Sequence, residues 1–141
     1  MSRITCLTPA ELKRLEALEK RYRSAARSCF EQRCAYYRSI TGGAYTSVTI
    51  RDQKTRWGSC SSRGTLSFNY RLIFAPPQVL DYVVVHELCH LTHMNHSKEF
   101  WNMVGSVMPD YQTQRKWLKE HGSELTLENY LESKGIPVKL S

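Results

Sequence analysis

The residues with the clearest potential for chemistry are His86, Glu87 and His90, which form the pattern His-Glu-x-x-His. On a helix, positions four apart lie about 40° apart around the axis and about 6 Å along it, so both imidazoles can reach one metal ion. Zinc binds neutral imidazole and keeps one position open for water in catalytic sites. Glu87 projects from the adjacent face and can accept a proton from that water. The spacing therefore predicts a hydrolytic zinc site.

The surroundings of the pattern strengthen this interpretation. Residues 78–94 are apolar nearly all round, and a helix without a polar stripe is a buried one. A polar triplet inside such a helix is costly unless it is paired or bound to a metal. The alternative is a pair of hydrogen-bonded core histidines with a surface glutamate, which leaves the triplet without a function.

A zinc site of this type needs a third protein ligand, and three residues compete for the position. His93 shares a helical face with His86, but an uninterrupted helix would place it about 10 Å further along the axis. His96 can reach the ion if the chain turns sharply beyond His93, and Asn95 tolerates left-handed backbone. The spacing equals that of the pattern H-E-x-x-H-x-x-G-x-x-H, with His93 in place of the glycine. We therefore expect His96 as the ligand, Glu99 as the weaker candidate, and His93 as a supporting or cleft residue.

Hydropathy periods predict the elements that must position these residues. A long amphipathic helix is expected from Thr8, its N-cap, to residue 39, followed by a stop at Gly42 and Gly43. The period then changes from 3.6 to 2 and predicts three strands, with a hairpin turn between the second and third. The predicted elements beyond the first helix are strands at 45–51, 57–60 and 66–74 and helices at 78–94, 97–107 and 111–120, with a short helix from 126.

The third predicted strand has the clearest alternation. It places apolar side chains on one face and Ser67, Asn69 and Arg71 on the other, as in a strand with one solvated face. The order of the elements predicts an α+β fold with a long N-terminal helix, a small, mainly antiparallel sheet, a buried active-site helix and C-terminal helices. At 141 residues the chain is expected to form one domain, 1–141, with its motif-bearing core at about 45–122.

The chain is basic, with 20 Lys and Arg against 13 Asp and Glu and a formal net charge of +7. Much of the excess lies in the first helix, so nucleic acid is a possible partner. The alternative is a solvated helix face with salt-bridging pairs. No stretch approaches the length needed to span a bilayer, and no signal segment begins the chain, so no membrane partner is expected. Five cysteines without a C-x-x-C pair indicate a reducing compartment, and we expect a cytoplasmic protein.

Three segments resemble the YgjP-like metallopeptidases, relatives of the SprT-like and WLM zinc peptidases. They are RWGSC at 56–60, LSFN at 66–69 and VHELCHLTHMNHSKEFW at 85–101, and the resemblance extends over about 49–122. It implies a zincin-like fold, one zinc ion bound by His86, His90 and His96, and Glu87 as the catalytic acid and base. Family members carry a β-rich N-terminal segment, whereas this chain begins with a helix, as in a minimal or a truncated member.

The resemblance also suggests how substrate is bound. In zincins, the edge strand above the metal pairs with an extended peptide, and the solvated face of the third strand, with Asn69 and Arg71, suits this role. A simple amphipathic strand is the alternative. Tyr111 and His121 are candidates to stabilise the oxyanion, together with Asn69 and Arg71.

These observations predict a zinc-dependent hydrolase of peptide bonds that acts on peptide or protein substrates. A second hypothesis is a nucleic-acid-associated protease of the SprT-like kind, docked through the basic surface. A third is a basic metal-binding module without turnover. Glu87 argues against the third, because a purely structural ion needs no base.

Overall fold

The computed structural model describes residues 7–136 and has the predicted α+β composition. In chain order, its elements are α1 (Pro9–Thr41), β1 (Ser47–Arg51), β2 (Gly58–Cys60), β3 (Thr65–Asn69), α2 (Pro77–His90), α3 (Lys98–Val107), α4 (Tyr111–His121) and α5 (Leu127–Ser133). Short 3-10 helices lie at Tyr70–Phe74 and Gly122–Glu124. Within this part of the chain, no helix combines the length and the apolar character that a membrane span requires.

The long helix α1 begins where the sequence predicts. The Thr8 hydroxyl accepts a hydrogen bond from the Glu11 backbone N–H (3.1 Å), and the Glu11 carboxylate accepts one from the Thr8 N–H (2.9 Å). This reciprocal pair satisfies two of the free N–H groups at the helix start. Gly42, in the left-handed conformation with φ 73°, ends the helix.

The three strands form a mixed sheet in the order β1-β3-β2. β2 and β3 are the predicted antiparallel hairpin, but β1 pairs with β3 in parallel over five residue pairs. The expectation of a mainly antiparallel sheet is therefore wrong. The reason is that β3 inserts between the two earlier strands, so that β1 neighbours β3 and not β2.

The third strand is shorter than predicted and is not solvated on one face. β3 ends at Asn69, whose side-chain oxygen accepts a hydrogen bond from the Arg71 N–H (3.1 Å) and so starts the 3-10 helix Tyr70–Phe74. Ser67 and Asn69 are buried: the Ser67 hydroxyl lies 2.7 Å from the Thr49 hydroxyl of β1, and Asn69 contacts the loop between β1 and β2. The 3-10 helix also contains buried apolar residues, among them Tyr70. Their alternation with polar residues continues the pattern of the strand, and for this reason the predicted strand extends to residue 74.

The helix α1 packs across the sheet and holds α2 in place. The Phe30 ring stacks on Phe68 of β3, with centroids 4.5 Å apart and an interplanar angle of 7°. Arg33 donates two hydrogen bonds of 2.8 Å to Asp81 of α2, and the Tyr37 hydroxyl donates a third at 3.0 Å. Apolar packing and one bidentate ion pair thus fix α2 against α1. The extent of the single domain, 1–141, stays a prediction.

We expect Phe30→Ala to lower the free energy of unfolding by about 3–5 kcal/mol, because it leaves a cavity against Phe68. Denaturant titration followed by circular dichroism measures this loss. Ser28→Ala, at an exposed position two residues earlier on α1, is the matched control and should change stability by no more than about 0.5 kcal/mol. Equal stability of the two variants would show that α1 does not contribute to the core as described.

Candidate metal centre and catalytic site

The helix α2 forms the base of the site. Pro77 occupies its first turn, where no backbone N–H is needed, and its apolar residues are buried on every side. The helix ends at His90 and not near residue 94 as predicted. Beyond it, the backbone N–H of Thr92 and that of His93 both donate to the Cys89 carbonyl, which makes a tight turn. No non-glycine residue within 7–136 has positive φ, so this turn does not use Asn95 in a left-handed conformation.

The turn brings three imidazoles together. The Nε2 atom of His96 lies 3.0 Å from Nε2 of His90 and 3.2 Å from Nε2 of His86. Zinc–nitrogen bonds of about 2.0–2.1 Å at tetrahedral angles place nitrogen atoms about 3.3–3.4 Å apart, close to these distances. The three nitrogen atoms therefore fit a single metal ion.

Contacts behind the imidazoles fix their orientation. Nδ1 of His90 donates to the His93 carbonyl at 2.9 Å, which leaves the Nε2 lone pair free to bind a metal. Nδ1 of His86 pairs with the Tyr82 hydroxyl at 3.3 Å. Burial, with the neighbouring His90 and His96, lowers the pKa of His86 to about 3, and burial also lowers the pKa of His90. Both rings are therefore neutral at pH 7, the state in which imidazole binds metal.

The start of α3 places His96. The Ser97 hydroxyl accepts a hydrogen bond from the Phe100 N–H at 3.2 Å, the helix cap that the sequence predicts. The Phe100 ring stacks on His90 with centroids 4.3 Å apart, and Trp101 stacks on His96 at 5.9 Å. The first turn of α3 thus forms an aromatic wall that restrains two of the three imidazoles.

The side chain of Glu87 lines the same cleft as His86 and is buried, with 5% of its surface exposed. Burial raises the pKa of Glu87 to about 7, against the opposing effect of the Arg56 charge. A carboxyl group with a pKa near neutrality can both accept and return a proton at physiological pH. Space for this side chain comes from Gly58 of β2, where an added Cβ would lie 2.9 Å from Oε2 of Glu87.

An open cleft of about 310 Å³ leads to this centre. It is lined by Trp57, which precedes β2, and by residues of β2, α2 and α4, namely Gly58, Tyr82, Val83, His86, Glu87, Arg115, Leu118 and Lys119. The sequence reasoning missed Tyr82 and Arg115. Tyr82 had a local signal, because it lies four residues before His86 on the same helix face. Arg115 had none, because only the packing of α4 against α2 brings it to the cleft.

Comparisons with known proteins agree with this geometry. The YgjP-like metallopeptidase domain matches residues 2–121. The chain belongs to the YgjP-like metallopeptidase family. Among solved structures, this YgjP-like chain is similar to the metallopeptidase zymogen abylysin of Pyrococcus abyssi, with a TM-score of 0.57 and 26% identity over 64% of this chain and 93% of that chain. No curated protein matches it.

The two residues of the YgjP-like chain that were predicted to bind substrate, Asn69 and Arg71, instead contact other parts of the protein. The Asn69 side chain, 3% exposed, donates to the backbone carbonyls of Gln53 and Arg56 and so holds the loop between β1 and β2. Arg71 forms an ion pair with Asp52 at 3.0 Å. Neither residue lines the cleft beside Glu87.

The remaining candidates also lie outside the lining of that cleft. Tyr111 stacks on Trp101 with centroids 5.3 Å apart, and Nδ1 of His121 lies 2.8 Å from a Glu124 carboxylate oxygen. Glu99 is exposed in the first turn of α3 and does not belong to the three-histidine cluster. The structure thus brings together His86, Glu87, His90 and His96, and none of the other candidates joins them.

Two of the basic residues of α1 in this YgjP-like chain form ion pairs along the helix. Arg23 lies 3.8 Å from Glu19 and Arg27 lies 4.0 Å from Glu31, each four residues apart. These contacts are typical of a solvated helix face with salt-bridging pairs, and docking of nucleic acid has no support among residues 7–136.

We expect Gly58→Ala to lower kcat by about 10–100-fold while metal content stays unchanged, because the new methyl group displaces the Glu87 carboxylate. Gly105→Ala is the control, since its Cβ would make an ordinary contact of 3.5 Å with Tyr111. Steady-state peptide hydrolysis and elemental analysis of both variants check this. Full activity in Gly58→Ala would mean that Glu87 does not need the position described here.

Proposed function

We propose that the chain is a zinc-dependent peptidase that hydrolyses peptide bonds, with one zinc ion held by His86, His90 and His96. The observation that carries the proposal is the convergence of three imidazole nitrogens, one of them on His86, which lines an open cleft together with the buried carboxylate of Glu87. Three neutral imidazoles with an open fourth position are a usual ligand set of catalytic zinc.

The ion, when bound, polarises the scissile carbonyl and lowers the pKa of water. The chain's own residues transfer the proton and keep the imidazoles in position. The Glu87 carboxylate takes a proton from the attacking water and returns it to the leaving amine, for which a pKa of about 7 is suited. Hydrogen bonds from Nδ1 of His90 and contacts of the aromatic wall keep the imidazoles in their orientation.

The edge strand beside the site is β2, because β3 occupies the centre of the sheet. Gly58 of β2 lines the cleft together with Glu87, so an extended peptide that pairs with the outer edge of β2 would run past the carboxylate. This transfers the substrate-pairing role from the third strand, where the sequence places it, to the second.

Two further points are proposals: that the protein is an enzyme and not a metal-binding module without turnover, and that it is cytoplasmic. A module without turnover has no use for a buried carboxylate with a pKa near 7, so Glu87 favours the enzyme. We also propose a cytoplasmic location, which the four unpaired cysteines of the described residues support.

Removal and return of the metal test the function. We expect purified protein to contain about one zinc per chain and to cleave casein or a peptide library. A chelator should abolish cleavage and lower the melting temperature, because the ion binds the folded state alone. Addition of zinc should restore both. Cleavage that survives complete metal removal, or metal-loaded protein that cleaves no peptide, would contradict the proposal.

A further inference from the structure

The side of the cleft formed by α4 carries positive charge. Arg115 and Lys119 lie four residues apart on α4 and line the same cleft as His86 and Glu87. Among the residues that line the cleft, Glu87 is the one acidic residue, and it lies buried at the base. A substrate in this cleft therefore meets two cations at its rim.

The guanidinium of Arg115 is held in one orientation by an aromatic stack. Its Cζ atom lies 4.8 Å from the centre of the Trp101 ring, and Trp101 in turn stacks on Tyr111 at an interplanar angle of 19°. A stacked guanidinium uses its face for the aromatic contact, so its N–H donors remain free at the edge. These donors match the two oxygens of a carboxylate.

Within the described part of the chain, no carboxylate serves these donors. Over residues 7–136, no Asp or Glu oxygen lies within ion-pair distance of Arg115 or Lys119. Lys116, on the same helix but outside the cleft lining, does have such a partner, Glu120, at 3.8 Å. The unpaired cations of α4 are thus the two that face the cleft.

We propose that Arg115, assisted by Lys119, binds a carboxylate of the substrate, so that peptides with an acidic side chain or a free C-terminus close to the scissile bond are preferred. This proposal rests on the peptidase function proposed above. The guanidinium selects the carboxylate because a neutral amide in the same place accepts a weaker hydrogen bond and leaves the positive charges unpaired.

The test uses the metal-loaded full chain and matched peptide substrates. One series exchanges Glu for Gln at each position around the cleaved bond, and a second compares a free C-terminal carboxylate with its amide. We expect the wild type to cleave the acidic member of at least one pair with about tenfold higher kcat/KM, the size of one charge-assisted hydrogen bond. The series in which the ratio appears identifies the source of the carboxylate.

Variants then connect the preference to α4. In Arg115→Gln the acidic-to-neutral ratio should fall to about one, and in Arg115→Glu it should fall below one. Lys116→Gln is the matched control and should keep the wild-type ratio, because Lys116 lies outside the cleft lining. A ratio near one in the wild type, or an unchanged ratio in Arg115→Gln, would overturn the proposal.

A binding measurement separates this proposal from the peptidase function. Calorimetry of the same peptide pairs with the metal-loaded Glu87→Gln variant reports carboxylate recognition without turnover. Tighter binding of the acidic peptide that disappears when Arg115→Gln is added supports carboxylate recognition. This conclusion holds even if the wild type cleaves no peptide, because absence of cleavage would count against the peptidase function alone. Equal binding of acidic and neutral peptides would overturn the recognition and leave the peptidase function standing.

Discussion

Replacement of Glu87 by glutamine is expected to lower peptidase kcat by about 10²–10⁴-fold while the protein still binds one metal ion per chain. Glutamine keeps the volume of the side chain in its buried place beside Gly58 but has no carboxylate to accept a proton. The three imidazole nitrogens that we propose as metal ligands are untouched. Steady-state kinetics on a fluorogenic peptide and elemental analysis of the same preparation give both quantities.

The stability of the metal-free Glu87→Gln variant provides an internal check. Because burial raises the pKa of Glu87 from 4.5 to about 7, the folded wild type binds this proton more tightly than the unfolded chain does. The carboxylate therefore costs folding free energy progressively as the pH rises from about 4.5 to about 7, and glutamine removes that cost. At pH 8 the variant should be at least as stable as the wild type.

Glu99→Gln serves as the matched control, because it removes an exposed carboxylate from the first turn of α3. It should keep both metal and activity, which also tests the weaker candidate ligand. Undiminished hydrolysis by Glu87→Gln would exclude Glu87 as the proton acceptor, and loss of metal from Glu99→Gln would place that residue in the metal centre.

The second large effect concerns the third ligand. His96→Ala is expected to weaken zinc binding by more than about 100-fold, because it removes one of the three convergent nitrogens, whereas loss of a supporting residue costs about 10–100-fold. His93→Ala should bind zinc like the wild type. The contact of His93 with the site is its backbone carbonyl, which accepts from His90, and alanine keeps that carbonyl.

Competition with a chromophoric chelator measures both zinc affinities, and thermal unfolding at a fixed zinc concentration reports the same difference as stability. His90→Ala, which removes a ligand of the buried helix itself, gives the size of a full ligand loss for comparison. If His93→Ala lost its zinc and His96→Ala retained it, the assignment of the third ligand would be wrong.

Short-range rules account for the parts of the site that the sequence predicts well. The helical spacing of His86 and His90, the Thr8 cap of α1 and the Ser97 cap of α3 each depend on residues within a few positions of one another. Such contacts form wherever the segment is helical, so they can be predicted from the sequence before the fold is known. The choice of His96 over His93 followed in the same way, from the rise of a helix per residue.

Features that depend on contacts distant in sequence were not predictable in this way. The side-chain alternation of β3 could not reveal that the loop between β1 and β2 would contact Asn69, so this residue was placed on a solvated face and is in fact buried. The end of α2 at His90 is stabilised by the carbonyl of His93 and by the aromatic wall of α3. The spacing of apolar residues along a helix does not predict either contact.

The sequence by itself thus determined the residues of the candidate site and the class of the fold: two histidines and a glutamate on one buried helix, a third histidine within reach, and an α+β arrangement. Only the tertiary structure decided where substrate can lie, because the cleft is bounded by β2, α2 and α4, which are separated along the chain. The roles proposed for Gly58 and Arg115 depend on the side chains that packing brings against them, Glu87 and Trp101. A residue's type and its neighbours in the sequence do not predict such contacts, because the contacts form when the apolar faces of distant elements are buried together.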